Sequence, residues 1–184
     1  MFSLPHGFFP APDNFADYKK KLLKVFAEDK RCEYDNHHRE AKTDYYYNID
    51  NASYPSYLSL VTEAVSPHLQ RIEKSMGCKL EIEEMWYQQS KKGQSHAVHT
   101  HGSMGFSAVW YVEFNPQEHL ATTFYAPFND PLTGEMLSFT PPVKEGDLII
   151  FPSYLLHEQK ENPSKQRRSI VSFNIMGQSS AGWK

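Results

Sequence analysis

The chain has 184 residues, of which 40% are hydrophobic and 14% aromatic, and it carries a formal net charge of −3 at pH 7. This composition predicts one packed domain and excludes a disordered chain. The small charge gives no general reason to bind nucleic acid or a membrane, and no segment has the roughly 18 apolar residues that a membrane span needs.

The first part of the chain, residues 1–78, contains two stretches with helical periodicity. Apolar residues recur at helical spacing over residues 14–31 and again over residues 57–76, where Gly77 ends the second pattern. Pro67 lies inside the second stretch and predicts a kink or a split. Between the two helices we predict mostly loop with one short strand, in which the tyrosine-rich residues 45–57 form either a lid over a substrate or, as we favour, a loop packed on the fold.

After Gly77 the pattern changes to short strands separated by Gly and Pro. The predicted strands are residues 79–89, 96–101, 106–114, 121–126, 136–140, 147–152 and 168–175. Helices followed by many short strands predict a mainly β fold, a double-stranded β-helix (jelly roll) over residues 79–176, packed by the helices of residues 1–78. An open β-sandwich would give a similar pattern.

His99 and His101 differ from the other histidines because of their spacing and because a strand pattern, GFSAVWYVEF, comes shortly after them. Residues two apart in a strand point to the same face, so this pair can hold one ion from one side. His157 comes after a distant predicted strand, which a jelly roll would bring alongside. Imidazole suits Fe, Zn, Cu and Ni, so we predict a metal site at these three residues. His96, three residues before His99, is predicted to face away from the pair.

The segment from Glu84 to Asn174 resembles the 2-oxoglutarate- and Fe(II)-dependent oxygenases, especially the short bacterial and viral members akin to prolyl hydroxylases. The resemblance is carried by the strings MWYQQSKKGQSHAVHTHGSMGFSAVWYVEF, EGDLIIFPSYLLHE and RRSIVSFN. It implies an enzyme that uses Fe(II), O2 and 2-oxoglutarate as co-substrate, hydroxylates a C–H bond of a peptidyl or small-molecule substrate, with proline one candidate, and releases succinate and CO2.

The same resemblance assigns roles to single residues. It implies that His99, His101 and His157 hold the metal. It also implies that Arg168 pairs with the distal carboxylate of 2-oxoglutarate, which a guanidinium fork matches with two hydrogen bonds. Tyr111 would hydrogen-bond the same carboxylate.

Three further residues are weaker candidates for the co-substrate site. Ser107 and Ser172 would line it. Gln89 falls where prolyl-hydroxylase relatives often have a tyrosine facing the co-substrate, and an exposed Gln89 is the alternative. Strand parity separates Arg168 from Arg167, which belong to opposite faces, and the family position selects Arg168.

One departure from the family pattern is His101, which stands where an aspartate is common. A third neutral imidazole leaves the metal site more cationic, and Glu158 is expected to point away from His157. Two other functions therefore stay open: a three-histidine cupin-like dioxygenase without an oxoacid, and a non-catalytic jelly-roll binding module. A nucleic-acid partner is disfavoured because no basic and aromatic groove is evident.

The cellular location is an expectation from two features. The first residues lack the basic start and apolar run of a signal peptide, and Cys32 and Cys78 have no metal-type spacing. We expect reduced thiols and a cytoplasmic protein of a bacterial host or a virus-infected cell. The oligomeric state cannot be deduced from the residues.

Overall fold

The structure is a computed structural model that describes residues 6–31 and 41–178. The prediction that concerns Cys32 lies outside these residues. Within the described ranges Cys78 is a free thiol. None of the helices in the same ranges combines the length and the apolar character that crossing a membrane requires.

Three helices are present in the described residues: α1 (Phe15–Glu28), α2 (Tyr45–Asp50) and α3 (Leu58–Met76). Both predicted helices are confirmed, and α3 ends at Gly77, which adopts the left-handed conformation. Of the two alternatives predicted at Pro67, the split is wrong because α3 continues through it, and the kink stays a prediction. Buried residues of α3 lie on both sides of Pro67, and their packing outweighs the lost backbone hydrogen bond.

Ten strands occur in the same ranges, with these bounds: β1 Gly7–Phe9, β2 Lys42–Thr43, β3 Lys79–Ser90, β4 His96–His99, β5 Phe106–Glu113, β6 Thr123–Asn129, β7 Met136–Phe139, β8 Leu148–Pro152, β9 His157–Gln159 and β10 Arg168–Gln178. The sequence did not predict β1 or β9 and indicated only an unlocated short strand where β2 lies. Each of the three is too short for hydrophobic periodicity to be visible.

Two antiparallel sheets make up the β structure. The major sheet has the order β1-β8-β5-β10-β3-β2 and the minor sheet the order β4-β9-β6-β7. This is the predicted double-stranded β-helix with few helices. The predicted helical region also contributes β1 and β2, which form the two edges of the major sheet.

The major sheet is covered on both faces. On one face Val171, Phe173 and Ile175 of β10 join a core with buried residues of α1 and α3. On the other face Ile170 joins a second core that contains Val109 and other residues of β5, β8 and the minor sheet. Burial on both sides explains why β5, β8 and most of β10 are buried along nearly their whole length.

Two register shifts interrupt the ladders. Opposite the step from Asn174 to Ile175, β3 has one extra residue, Glu83. In the minor sheet, three steps along β4 from His96 to His99 match two steps along β9 from Gln159 to His157. Such bulges change the face to which a side chain points. The bulge in β4 lies beside a cavity between the two sheets, and the bulge in β3 lies beside a second cavity next to α2.

Candidate active site

Three histidines converge between the two sheets. One potential ligand atom from each of His99, His101 and His157 lies within 4.8 Å of the others. Their ring centroids are 4.3 Å apart for His99 and His157, 5.0 Å for His99 and His101, and 5.1 Å for His101 and His157. Strand pairing explains the convergence, because β4 and β9 are neighbours and His99 lies opposite His157.

Two of these rings are oriented by their own backbone. The Nδ1 atom of His99 lies 2.7 Å from the carbonyl oxygen of Ala97, and the Nδ1 atom of His157 lies 2.8 Å from that of Leu155. A carbonyl oxygen only accepts, so each Nδ1 carries the hydrogen and donates it. The Nε2 lone pair of each ring is then available to a metal ion. A metal-binding histidine usually donates a hydrogen bond from its other ring nitrogen in this way.

The surroundings of His101 and His157 favour neutral imidazoles. Burial, followed by the charge of the neighbouring histidines, lowers the pKa of His101 to about 3. Burial likewise lowers the pKa of His157, and the hydrogen bond with Leu155, which raises it, only partly offsets this effect, so the pKa is about 4. Neutral rings keep the lone pairs that coordination requires.

His96 is not where strand parity predicted it. Its ring stacks on that of His99 with the centroids 4.2 Å apart, and it lines the same cavity. The prediction that it faces away is wrong because of the bulge between His96 and His99, which reverses the alternation. Its Nδ1 atom lies 3.3 Å from Nε2 of Gln88, so His96 packs against the cluster as a neighbour of His99.

Arg168 is buried in the wall of the same cavity, with only 1% of its surface exposed. Its Nη1 atom donates to Oε1 of Gln159 at 2.7 Å, and the guanidinium lies over the ring of Tyr111 at 5.4 Å. Its Nε and Nη2 atoms have no hydrogen-bond partner among the described residues. A buried cation with two unused donors is costly unless an anion satisfies it, and a carboxylate matches this fork.

Gln159 holds the guanidinium in place. Its Oε1 accepts from Arg168, and its Nε2 donates to Oγ of Ser90 at 2.8 Å. Asn162 in turn donates from Nδ2 to the carbonyl oxygen of Ser90 at 3.1 Å. The sequence reasoning missed Gln159, although its position two residues after His157 on β9 places it on the same face by parity.

The structure brings most of the other candidates to this cavity. Ser107 and Ser172 line it, and Ser107 Oγ donates to Oδ1 of Asn174 at 2.9 Å. The hydroxyl of Tyr111 donates to Oγ1 of Thr122 at 3.0 Å and accepts from the Thr122 backbone N–H at 3.1 Å. Thr122, which the sequence did not single out, is therefore the polar residue that reaches the cavity from this side.

Besides Tyr111, Gln89 is a candidate that does not line the cavity. Its Nε2 atom donates to Oγ of Ser169 at 3.0 Å, and β3 places it opposite Ser169. Gln88 lies opposite Ile170 and lines the cavity instead. The difference is one residue of strand register, which turns a side chain to the other face of the sheet.

No carboxylate belongs to the histidine cluster in the part of the chain that the structure describes. Glu158, which was expected to point away from His157, lies outside the cluster but lines the same cavity, and it accepts a hydrogen bond from the hydroxyl of Tyr125. The donor set is therefore three imidazoles, which suit Fe, Zn, Cu and Ni. This donor set fits one metal ion, and the guanidinium of Arg168, with two donor nitrogens unsatisfied among the described residues, fits a carboxylate.

Comparison with known proteins supports the same chemistry. Residues 84–174, about half of the chain, match the profile of a family described as 2OG-Fe(II) oxygenases. No curated protein matches the sequence.

Solved structures share the fold at low identity. The epimerase SnoN from nogalamycin biosynthesis, described as non-heme and alpha-ketoglutarate dependent, has a TM-score of 0.64 at 15% identity over 93% of this chain and 76% of SnoN. The viral collagen prolyl hydroxylase of Paramecium bursaria Chlorella virus-1, solved with 2OG, has a TM-score of 0.61 at 13% identity over 92% of this chain and 94% of the viral protein. A Pseudomonas putida prolyl-4-hydroxylase has a TM-score of 0.59 at 15% identity over 95% and 94%.

Proposed function

The chain belongs to the 2-oxoglutarate- and Fe(II)-dependent oxygenases, and on that premise we propose that it hydroxylates a C–H bond of a peptidyl or small-molecule substrate, releasing succinate and CO2. One observation carries the proposal. Buried Arg168 lines the same cavity as the three histidines, and its Nε and Nη2 atoms have no hydrogen-bond partner among the described residues.

We propose that His99, His101 and His157 hold the iron through one ring nitrogen each. Bound Fe(II) supplies the O2 chemistry that no amino-acid side chain provides. The chain's contribution is to fix the orientation of two rings, because Nδ1 of His99 and Nδ1 of His157 each bind the backbone carbonyl oxygen of the residue two positions earlier. Because all three ligands are neutral, the centre keeps the full charge of the ion and favours an anionic co-substrate.

Arg168 is proposed to bind the distal carboxylate of 2-oxoglutarate with Nε and Nη2. Gln159 holds the third position of the guanidinium, so the two remaining donors point to one acceptor group. Tyr111 supports the guanidinium through its ring face and fixes Thr122 by two hydrogen bonds. Ser107 and Ser172 complete the polar wall, whereas Gln89 has no part in it.

Apolar side chains close the remaining walls. Val109, Phe151 and Ile170 line the cavity and belong to the core between the sheets. They exclude water from the space between the histidines and Arg168, which strengthens the charge–charge contact with a bound carboxylate.

The deciding experiment is a titration of 2-oxoglutarate into protein loaded with Mn(II), which replaces Fe(II) without turnover. We expect one binding site, and a loss of affinity of roughly 30-fold or more in Arg168→Gln, because a charged hydrogen-bonded pair is removed. Arg167→Gln is the matched control, since Arg167 is exposed and pairs with Glu113. Equal affinity in both variants would contradict the role of Arg168.

The same preparation separates the competing functions. Release of CO2 from labelled 2-oxoglutarate by the Fe(II)-loaded protein excludes the cupin-like dioxygenase that needs no oxoacid. Stoichiometric metal in the purified protein excludes the non-catalytic jelly-roll module.

For the substrate, the structurally similar proteins support a proposal only of its chemical class. Two of the similar structures are named prolyl hydroxylases, which supports a peptidyl substrate. SnoN is an epimerase from nogalamycin biosynthesis, which supports a small molecule equally well. A substrate search therefore includes both peptides and free small molecules.

A further inference from the structure

A second cavity adjoins the candidate active site. It lies between β3 and the segment made of α2 and the turn after it, the same tyrosine-rich segment for which a lid and a packed loop were the two interpretations. Its walls include the rings of Tyr45, Tyr54 and Trp86 and the carboxylates of Glu83 and Glu84. Tyr54 is 62% exposed, so the cavity is accessible from solvent at this side.

Trp86 is the wall that both cavities share. On one side its ring centroid lies 5.4 Å from that of His101, and on the other side 5.0 Å from that of Tyr45. A ligand group in the second cavity is thus separated from the histidine cluster by one aromatic ring. An extended molecule that passes the edge of Trp86 can occupy both cavities.

The bulge in β3 explains why two carboxylates meet here. Ile82 and Met85 both pack on the helix side of the major sheet, although they are three residues apart. The extra residue between them leaves Glu83 and Glu84 together on the opposite side, where the second cavity lies. An unbulged strand would send one of the two carboxylates to the helix side.

Neither carboxylate is neutralised by a basic side chain in the described part of the chain. Glu84 accepts a hydrogen bond from Nδ2 of Asn174 at 2.7 Å, which is uncharged. Over residues 6–31 and 41–178 no Lys or Arg forms an ion pair with Glu83 or Glu84. Burial, followed by the charge of Glu84, raises the pKa of Tyr45, which shows that this negative charge is felt at the aromatic wall.

Aromatic faces beside unpaired carboxylates are the surroundings that an organic cation requires. Ammonium and guanidinium groups are attracted by the rings of Trp and Tyr, and a carboxylate adds a direct ion pair. An anionic group would be repelled by Glu83 and Glu84. A purely apolar group would leave both carboxylates without a positive partner among the described residues.

We propose that the substrate carries an ammonium or guanidinium group that binds between Tyr45, Trp86 and the Glu83–Glu84 pair, and an apolar stem that passes Trp86 to place a C–H bond at the histidine cluster. This inference rests on the proposed function, because it assigns the substrate of the same active site. The same cation chemistry occurs in a free amino acid and in a basic side chain of a peptide.

Calorimetric titration of protein loaded with Mn(II) and 2-oxoglutarate tests the proposal with matched probes. L-lysine and L-arginine are compared with L-norleucine and L-citrulline, whose side chains are uncharged, first as free amino acids and then as N-acetyl amides, which also lack the α-ammonium and α-carboxylate charges. We expect the cationic member of each pair to bind roughly tenfold tighter or more, and to lose this advantage at high salt. Preference for the N-acetyl amides indicates a peptide side chain, and preference for the free forms indicates an amino acid.

The variant Glu83→Gln/Glu84→Gln removes both charges at almost unchanged shape, and Glu81→Gln removes an exposed charge of the same strand outside the cavity. We expect the double variant to bind cationic and neutral probes alike, and Glu81→Gln to discriminate as the wild type does. Equal binding of both probes by the wild type, or full discrimination by the double variant, overturns the cation proposal. Binding of 2-oxoglutarate to the wild type is measured separately, so a failure of the proposed function is recognised by its absence.

Discussion

The two faces of the major sheet use the same strands for different purposes. On β10 the helix-facing residues are Val171, Phe173 and Ile175, which are all apolar and at most 1% exposed. The cavity-facing side of the same strand includes Arg168 and Ser172, which are polar. One backbone thus carries a core on one side and a binding site on the other, because successive side chains alternate.

This difference indicates where the stability and the chemistry reside. The helix-facing core gains its free energy from buried apolar area, and an empty space there is costly. The cavity-facing side has a buried cation with unused donors, which costs stability until a ligand binds. Substitutions on the two faces should therefore affect different measurements.

The largest functional effect is expected on the cavity side for His157→Ala. It removes one of the three proposed ligands from a cluster that contains no carboxylate among the described residues, so stoichiometric metal binding should be lost. Metal analysis of the loaded and washed protein measures this. His119→Ala is the control, because His119 contacts Asn115 and Gln166 away from the cavity, and it should retain the metal. Metal retained by His157→Ala would exclude it as a ligand.

The helix side should respond in stability alone. Phe173→Ala creates a cavity beneath α1 and α3 and should lower the free energy of unfolding by about 3–5 kcal/mol. Ser172→Ala, its neighbour on the other face, should change that free energy by less than about 1 kcal/mol. Denaturant unfolding of both variants gives these values. A Phe173→Ala protein as stable as the wild type would contradict the packing of this face.

Variants of Gln159 test whether its hydrogen bond holds the Arg168 guanidinium in the position that 2-oxoglutarate binding requires. Gln159→Leu removes the acceptor of Nη1 and should reduce 2-oxoglutarate affinity about tenfold, at unchanged metal binding. Gln159→Glu keeps an acceptor but neutralises the guanidinium, so it should stabilise the fold and still weaken 2-oxoglutarate binding. A purely structural role would predict that Gln159→Glu binds 2-oxoglutarate as the wild type does.

The smallest expected changes in 2-oxoglutarate affinity are those for substitutions of Gln88 and Gln89, two adjacent residues of β3. Gln89→Leu removes a hydrogen bond with Ser169 outside the cavity and should change 2-oxoglutarate affinity by less than about twofold. Gln88→Leu removes the contact with His96 inside the cavity and should change it by a larger factor, roughly threefold. Titration of both variants checks the register, and the opposite order would contradict it.

Much of this could be predicted where the sequence is regular. The long strands, both long helices, the parity of Arg168 against Arg167 and the convergence of the three histidines all follow from periodicities of 2 and 3.6 and from the pairing that a jelly roll requires. The errors concern irregular positions. A bulge in β4 turns the His96 ring toward the other histidines. A difference of one residue along β3 places Gln88, and not Gln89, in the cavity wall. Packing in the core keeps α3 continuous through Pro67.

The spacing of His99, His101 and His157 along the sequence predicted that the three imidazoles come together, and the family resemblance selected Arg168 as the proposed partner of a carboxylate. Only the tertiary structure decided the neighbours of these residues: Gln159 beside Arg168, Thr122 beside Tyr111, and the carboxylates of Glu83 and Glu84 beside Trp86. The physical reason is that a bulge and a hydrogen bond between distant strands depend on how the two sheets close on each other, and no local periodicity records that closure.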